Sequence, residues 1–271
     1  MIIDFHTHIF PDAIAERAID SLTKAAKGIF SPVTNGTKAS LLSRMDEWGV
    51  DVSVNQPVLT KPSQTRSTNE WAAAAADGRI VSFGGIHPHT DDYRRDIDFV
   101  ASLGFKGIKL HAEYQDFVVD APEMLKLYDY AFSRGLMILQ HAGFDAAFPP
   151  PFKSTPKQFA NIARAMKGGI MIAAHLGGQR QWEYVERDLA GENVYLDTST
   201  GFDFYDDETF LRIVRAHGAD KILFGSDSPW TNAKKEIDRI NALPLTDAEK
   251  AAILGGNAKK LLFGAAGQSD S

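Results

Sequence analysis

The sequence alternates short apolar segments with segments of helical character, and this alternation limits the folds open to the chain. Eight segments have the β-branched or continuous apolar content of buried strands. They end near residues 8, 54, 86, 111, 141, 174, 197 and 225. Because helical segments separate them, the sheet is expected to be parallel. Eight such repeats within 271 residues predict an α/β fold, a single (β/α)8 TIM barrel with extra helices at the C-terminal end.

An open, doubly wound sheet is the alternative to a barrel. Doubly wound sheets that bind dinucleotides carry a glycine-rich loop after the first strand. No such loop follows the first apolar segment here, and no linker-like stretch divides the chain. We therefore expect one barrel domain over residues 1–264, followed by a frayed tail at residues 265–271.

Helix-end signals support the assignment of the intervening segments. Ser40 is expected to cap a helix over residues 41–48, which Gly49 ends. Thr246 and Glu249 have the spacing of a capping box, which predicts the start of one of the C-terminal helices.

Composition narrows the classes of function. The chain has no cysteine, which excludes disulfides, thiolate metal sites and cysteine nucleophiles. Its net charge is -6 and it has no dense basic run, so we expect no nucleic-acid partner. The apolar runs are too short to span a membrane, and two histidines interrupt the N-terminal apolar stretch, so we expect no signal peptide. We predict a cytoplasmic enzyme with a small-molecule substrate; a homodimer is left open.

Seven of the eight histidines lie at or just past the end of a predicted strand. His6 and His8 share one face of the first strand, because side chains alternate along a strand. Alone, this pair is equally well explained as two histidines near a solvated N-terminus. The other five are His87, His89, His111, His141 and His175. In an α/β barrel these strand ends meet at the face that carries active sites, so the clustering favours a metal site.

Several motifs resemble those of the amidohydrolase superfamily, in particular its amidohydrolase-related branch of decarboxylases and small metal-dependent hydrolases. The first follows the N-terminus as Ile3-Asp4-Phe5-His6-Thr7-His8. The others are residues 104–111 (GFKGIKLH), 140–143 (QHAG), 174–178 (AHLGG), 224–229 (FGSDSP) and 255–258 (GGNA). They cover the chain from end to end. The resemblance implies the barrel fold and metal-dependent chemistry but does not identify a substrate.

The resemblance also implies roles for individual residues. His6, His8 and His141 would be nitrogen ligands and Asp227 an oxygen ligand of one divalent metal ion, for which we expect zinc, with manganese or iron as substitutes. Asp227 would also accept a proton from water, and His175 would act beside the metal as an acid or base. Against these roles, Asp227 can instead cap a turn, and His141 can be a packed residue at a strand end.

Lys109 is the ambiguous residue of this set. Relatives with two metals bridge them through a carboxylate at the end of strand four, often a carboxylated lysine, and Lys109 is near that position. Decarboxylase-like relatives generally use one metal. Lys109 can alternatively bind a substrate carboxylate or pair with an interior acid such as Asp4. We expect one ion and a non-bridging Lys109. His111 and His87 are expected to line the pocket or support the ligands, and Trp230 to form a wall.

Three classes of function remain. The first is hydrolysis of a small amide, ester or lactone by metal-activated water. The second is a lyase reaction, either non-oxidative decarboxylation or hydration of a small carboxylated compound. The third is a barrel without chemistry that serves as a binding protein, which the complete ligand set argues against. Because the first two share ligands and proton-transfer groups, the motifs do not separate them; of the two, we expect hydrolysis.

Overall fold

Nine strand segments build the centre of the molecule in the computed structural model, which describes residues 1–166 and 168–264. They are β1 Ile3–Thr7, β2 Val52–Asn55, β3 Ile80–Ser82, β4 Gly84–Gly85, β5 Gly107–Leu110, β6 Met137–Gln140, β7 Met171–Ala173, β8 Tyr195–Asp197 and β9 Ile222–Leu223. All paired neighbours run parallel. The tail predicted at residues 265–271 lies outside the described residues.

The segments form a closed ring of eight strands. β3 and β4 are two parts of one barrel strand interrupted at Phe83, whose N–H donates to the Asn55 carbonyl at 3.0 Å. The ring closes between its first and last strands, where the Phe5 N–H donates to the Phe224 carbonyl at 2.8 Å. Thr7 pairs in parallel with Ser228 at the same seam. The predicted (β/α)8 barrel is therefore confirmed.

Helices follow the strands and cover the outside of the barrel. They are α1 Asp12–Ala25, α2 Lys38–Trp48, α3 Thr65–Ala75, α4 Tyr93–Ser102, α5 Ala112–Gln115, α6 Pro122–Ser133, α7 Pro156–Ala165, α8 Trp182–Tyr184, α9 Asp207–His217, α10 Ala233–Ala242, α11 Asp247–Ala251 and α12 Asn257–Phe263. The last three are the extra C-terminal helices that the sequence predicts. Within the described ranges, no helix combines the length and apolar character that a membrane crossing requires.

The predicted helix ends are correct in one case and shifted in another. The Thr246 hydroxyl accepts from the Glu249 N–H while the Glu249 carboxylate accepts from Thr246, so the capping box is present. The cap of α2 is Thr37 rather than Ser40, because the Thr37 hydroxyl accepts the Ser40 N–H at 3.1 Å. The helix therefore starts three residues earlier than predicted.

The C-terminal motif at residues 255–258 fastens the last helix to the barrel. The buried Asn257 amide donates to the carbonyls of Ala219 and Ile222, both at 2.8 Å, just before and within β9. A Cβ atom at Gly255 would lie 2.3 Å from the Met1 carbonyl oxygen, so the backbone approaches β1 more closely than any other residue type allows. The motif thus joins the C-terminal end of the chain to both strands of the closing seam.

We predict that Asn257→Ala lowers the free energy of unfolding by about 2–3 kcal/mol, because two carbonyls lose a buried donor. Urea unfolding followed by circular dichroism measures the change. Asn241→Ala, at an exposed position of α10, is the control and should stay within about 0.5 kcal/mol of the unmodified protein. Equal stability of the two variants would contradict the role given to Asn257.

Candidate metal centre

A cavity of about 620 Å³ opens at the C-terminal ends of the barrel strands. Most of the site residues expected from the sequence line it: His6, His8, Lys109, His111, His141, His175, Asp227 and Trp230. His87 does not. Its buried ring packs 5.6 Å from the ring of His89, outside the residues that line the cavity. Of the two roles expected for His87, lining the pocket and supporting the ligands, the first is not seen in the structure, and the second stays a prediction.

Three potential metal ligands converge at one point of the cavity. The Asp227 Oδ1 atom lies 3.0 Å from His8 Nε2 and 3.5 Å from His6 Nε2. The two imidazole centroids are 5.1 Å apart, and the three side chains form one group able to hold a cation. His6 and His8 project to the same side of β1, as the alternation of the strand predicts.

Hydrogen bonds fix which nitrogen of each imidazole is free. His8 Nδ1 lies 2.8 Å from the Gln56 backbone carbonyl, which can only accept, so Nδ1 carries the hydrogen. His6 Nδ1 lies 2.9 Å from the Asp197 carboxylate and donates to it. When both rings are neutral, their Nε2 atoms have lone pairs that face the Asp227 carboxylate. Acceptors this close need a positive charge between them, which a proton on His8 or a metal cation supplies, so the donor set fits a metal cation.

Lys109 competes with a cation at this point. Its Nζ lies 3.0 Å from His6 Nε2, and the side chain is 1% exposed. Burial lowers the pKa of Lys109 to about 8. Since His6 has one lone pair, it can accept from Lys109 or bind a cation, but not both. Lys109 does not pair with Asp4, whose carboxylate instead accepts from the Ser226 N–H and hydroxyl at 2.8 and 2.6 Å.

His141 lies in a second group, apart from the three convergent ligands. Its ring stacks on His111 at 4.2 Å between centroids, and His111 Nε2 lies 3.2 Å from an Asp145 oxygen. These three side chains form a second cluster that could hold a cation. His141 Nε2 approaches the Phe144 carbonyl at 3.2 Å, which turns the ring towards the following loop. Its membership of the ligand set with Asp227 stays a prediction.

His175 lies between the two groups. Its Nε2 is 2.9 Å from His141 Nδ1, and its ring stacks on His6 at 5.4 Å. On the other side, Nδ1 lies 2.9 Å from both the Ser199 and Thr200 hydroxyls. Burial lowers the pKa of His175, which favours the neutral ring at neutral pH. A neutral imidazole held at Nδ1 can exchange a proton at Nε2.

The backbone at the site is held in an uncommon conformation. His175, Thr200 and Asp227 have φ angles of 56°, 50° and 63°, in the left-handed region that non-glycine residues rarely occupy. Each costs on the order of 1–3 kcal/mol and persists only where neighbours hold it. The Asp227 N–H donates to the His6 carbonyl at 2.8 Å, and the His175 N–H donates to Asp197 at 3.1 Å. Such strain is typical of functional sites.

Asp197 is a site residue that the sequence analysis missed. It ends β8 and is fully buried, and its carboxylate accepts from His6 Nδ1, the His175 N–H and the Ser199 N–H. Burial alone would raise the pKa of Asp197, but His6 and the hydrogen bonds outweigh it and hold that pKa well below its ordinary value. The sequence does carry a signal for Asp197, because this residue ends a predicted strand just as the histidines do.

Solved structures share the fold, including the following three. One is an uncharacterised TIM-barrel protein from Bordetella bronchiseptica, with TM-score 0.76, 18% identity, and coverage of 96% of this chain and 98% of that one. A probable 2-pyrone-4,6-dicarboxylic acid hydrolase from Acinetobacter baumannii matches with a TM-score of 0.66 and 17% identity, over 96% of this chain and 98% of that one. A manganese-bound dihydroxybenzoic acid decarboxylase from a Polaromonas species matches with a TM-score of 0.68 and 16% identity, over 96% of each chain. Identities this low show the fold alone.

The sequence comparisons identify a family but no individual curated relative. No curated protein sequence matches the chain. The family described as amidohydrolase matches residues 3–264, which spans the whole barrel and every residue of the candidate centre. The chain therefore belongs to the amidohydrolase family.

Proposed function

We propose that the protein is a metal-dependent hydrolase that cleaves a small amide, ester or lactone by attack of water. The observation that carries this proposal is the convergence of His6 Nε2, His8 Nε2 and Asp227 Oδ1 on one point of the cavity. Two imidazoles and a carboxylate suit zinc, with manganese as an alternative. We propose His141 as the fourth ligand. It contacts His175, which in turn stacks on His6.

A divalent ion held by His6, His8 and Asp227 would supply a Lewis acid that lowers the pKa of water and polarises a carbonyl oxygen. The protein supplies the proton transfers. The Asp227 carboxylate, which touches both imidazoles, accepts the proton of the attacking water. That proton then passes to Nε2 of His175, which delivers it to the leaving nitrogen or oxygen and returns to the neutral ring. Lys109 serves as a hydrogen-bonding residue rather than as a bridge between two ions.

The charges of the cavity support hydrolysis over decarboxylation. Among the described residues that line it, Lys109 is the only lysine or arginine, and its amine contacts His6. A substrate carboxylate is usually held by a guanidinium or an ammonium, and among the described lining residues Lys109 is the single group of this kind. Decarboxylation remains the second candidate, since a structural neighbour with bound manganese is a decarboxylase and a metal ion can itself bind a carboxylate.

Product analysis tests the proposed reaction. We expect the metal-loaded protein to hydrolyse members of a panel of esters, lactones and amides, and water labelled with heavy oxygen to place that label in the new carboxylate. Aryl carboxylic acids should release no carbon dioxide. Asp227→Asn protein, purified in parallel, controls for contaminating hydrolases. Carbon dioxide release without any hydrolysis would establish the lyase instead.

We predict that the purified protein carries about one equivalent of a divalent first-row metal, measured by elemental analysis. His8→Ala should lose most of it, because one of the convergent nitrogens is removed. Asp227→Asn should retain less metal and lose activity. His89→Ala is the matched control, since the His89 ring contacts the Asp116 carbonyl outside the cavity. Protein that holds no metal and takes up neither zinc nor manganese would contradict the assignment.

We predict that His175→Asn folds and keeps its metal while turnover falls by ~10²–10⁴-fold, the usual effect of losing a general acid or base. His89→Asn should keep both metal and activity. Metal analysis and steady-state kinetics measure the two effects separately. If His175→Asn loses metal as fully as His141→Asn, His175 is a ligand. If it stays active, another group carries the proton, and His111 is the first candidate.

A further inference from the structure

The cavity extends beyond the candidate metal centre, and its outer wall is apolar. The side chains that form this wall come from α1, the segment that follows it, α3 and the turn after Asp227. They are Ile14, Ala18, Leu22, Phe30, Trp71 and Trp230. None of them belongs to the ligand or proton-transfer groups. The mechanism proposed above therefore gives this part of the cavity no role.

Helix α1 carries two adjacent apolar stripes, and only one of them is buried in the protein. Ala15 and Ile19 are buried, and Ile19 packs beside Gly36. The second stripe, Ile14, Ala18 and Leu22, repeats every four residues and lines the cavity. At 1.5 Å rise per residue it is about 12 Å long. Ile14 is 38% exposed, and Ala18 and Leu22 are only half-buried.

The charged residues that line the cavity lie at its inner end. In the described ranges these are Lys109, Asp145 and Asp227, and each contacts a histidine of the centre. The outer part instead carries uncharged polar side chains along with the apolar stripe. These are Thr60, Gln64, Ser67 and Thr68. An ionised group in the outer part would lose water without gaining a charged partner.

We propose that the outer cavity binds a long alkyl or arylalkyl chain attached to the reactive carbonyl. The substrate is then a neutral amphiphile, an amide, ester or lactone whose apolar chain lies along Ile14, Ala18 and Leu22. This inference rests on the proposed function, which places the reactive carbonyl at the inner end. The cavity volume of about 620 Å³ suits a ligand of this size, beyond what a small carbonyl compound would fill.

A binding series separates the chain site from the chemistry. Metal-free protein is titrated by calorimetry with N-alkylacetamides from propyl to octyl, which need no turnover. We expect the Kd to fall about fourfold for each added methylene until the stripe is filled. N-alkyl chains that end in a carboxylate should bind more weakly than their neutral counterparts. An affinity that does not depend on chain length, or stronger binding of the carboxylates, would overturn the proposal.

Matched variants assign the effect to α1. Ile14→Asp should remove the dependence on chain length, whereas Val118→Asp should keep it, because Val118 is an aliphatic residue of similar exposure, 42% against 38%, outside the cavity lining. Ala18→Phe, which fills the stripe without a charge, should weaken octyl but not propyl binding. Identical series for Ile14→Asp and Val118→Asp would overturn the assignment. An intact binding series without hydrolysis of any carbonyl compound would instead reject the proposed function alone.

Discussion

A carboxylate buried inside the barrel, that of Asp197, orders the polar residues around it. A fully buried charge is tolerated only when several donors surround it. Here the donors are His6 Nδ1, the His175 N–H and the Ser199 N–H and hydroxyl. One of these bonds fixes the tautomer of His6, and another holds the left-handed turn at His175. The same group therefore decides where the metal-facing lone pair and the proton-transfer imidazole point.

The electrostatic balance of the centre follows from this arrangement. Burial would raise the pKa of both Asp197 and Asp227, but neighbouring histidines outweigh it and keep the pKa of each carboxylate low, to about 2 for Asp227. Against two buried negative charges stands one ammonium, Lys109, whose own pKa is lowered by burial. A divalent cation at His6 and Asp227 would compensate both carboxylates and leave Lys109 free to lose its proton. The centre is thus better neutralised with the ion than without it.

The sequence predicts the barrel and the strand-end histidines that line the cavity because both depend on local patterns. Strand segments and strand-end histidines can be found one element at a time, and the barrel brings their ends together. The strand-end position of Asp197 could be read from the sequence, but its partner could not, because His6 approaches it only in the closed ring. The place of His141 depends on the Phe144 carbonyl in an irregular loop. Periodicity likewise indicates that α1 is amphipathic, but tertiary contacts decide which stripe meets the core.

The inner part of the cavity is held by the hydrogen bonds of the barrel seam, whereas the outer part is formed largely by helix α1. His6, His8 and Asp227 are held by the hydrogen bonds that close the barrel, so a change in their positions would disturb the seam itself. The stripe of α1 lies outside that seam, on a helix whose other apolar side chains already secure it. Substitutions at Ile14 or Ala18 can therefore alter which chain the cavity accepts without moving the charged centre. This separation allows one barrel to keep its reaction while its preference for a substrate changes.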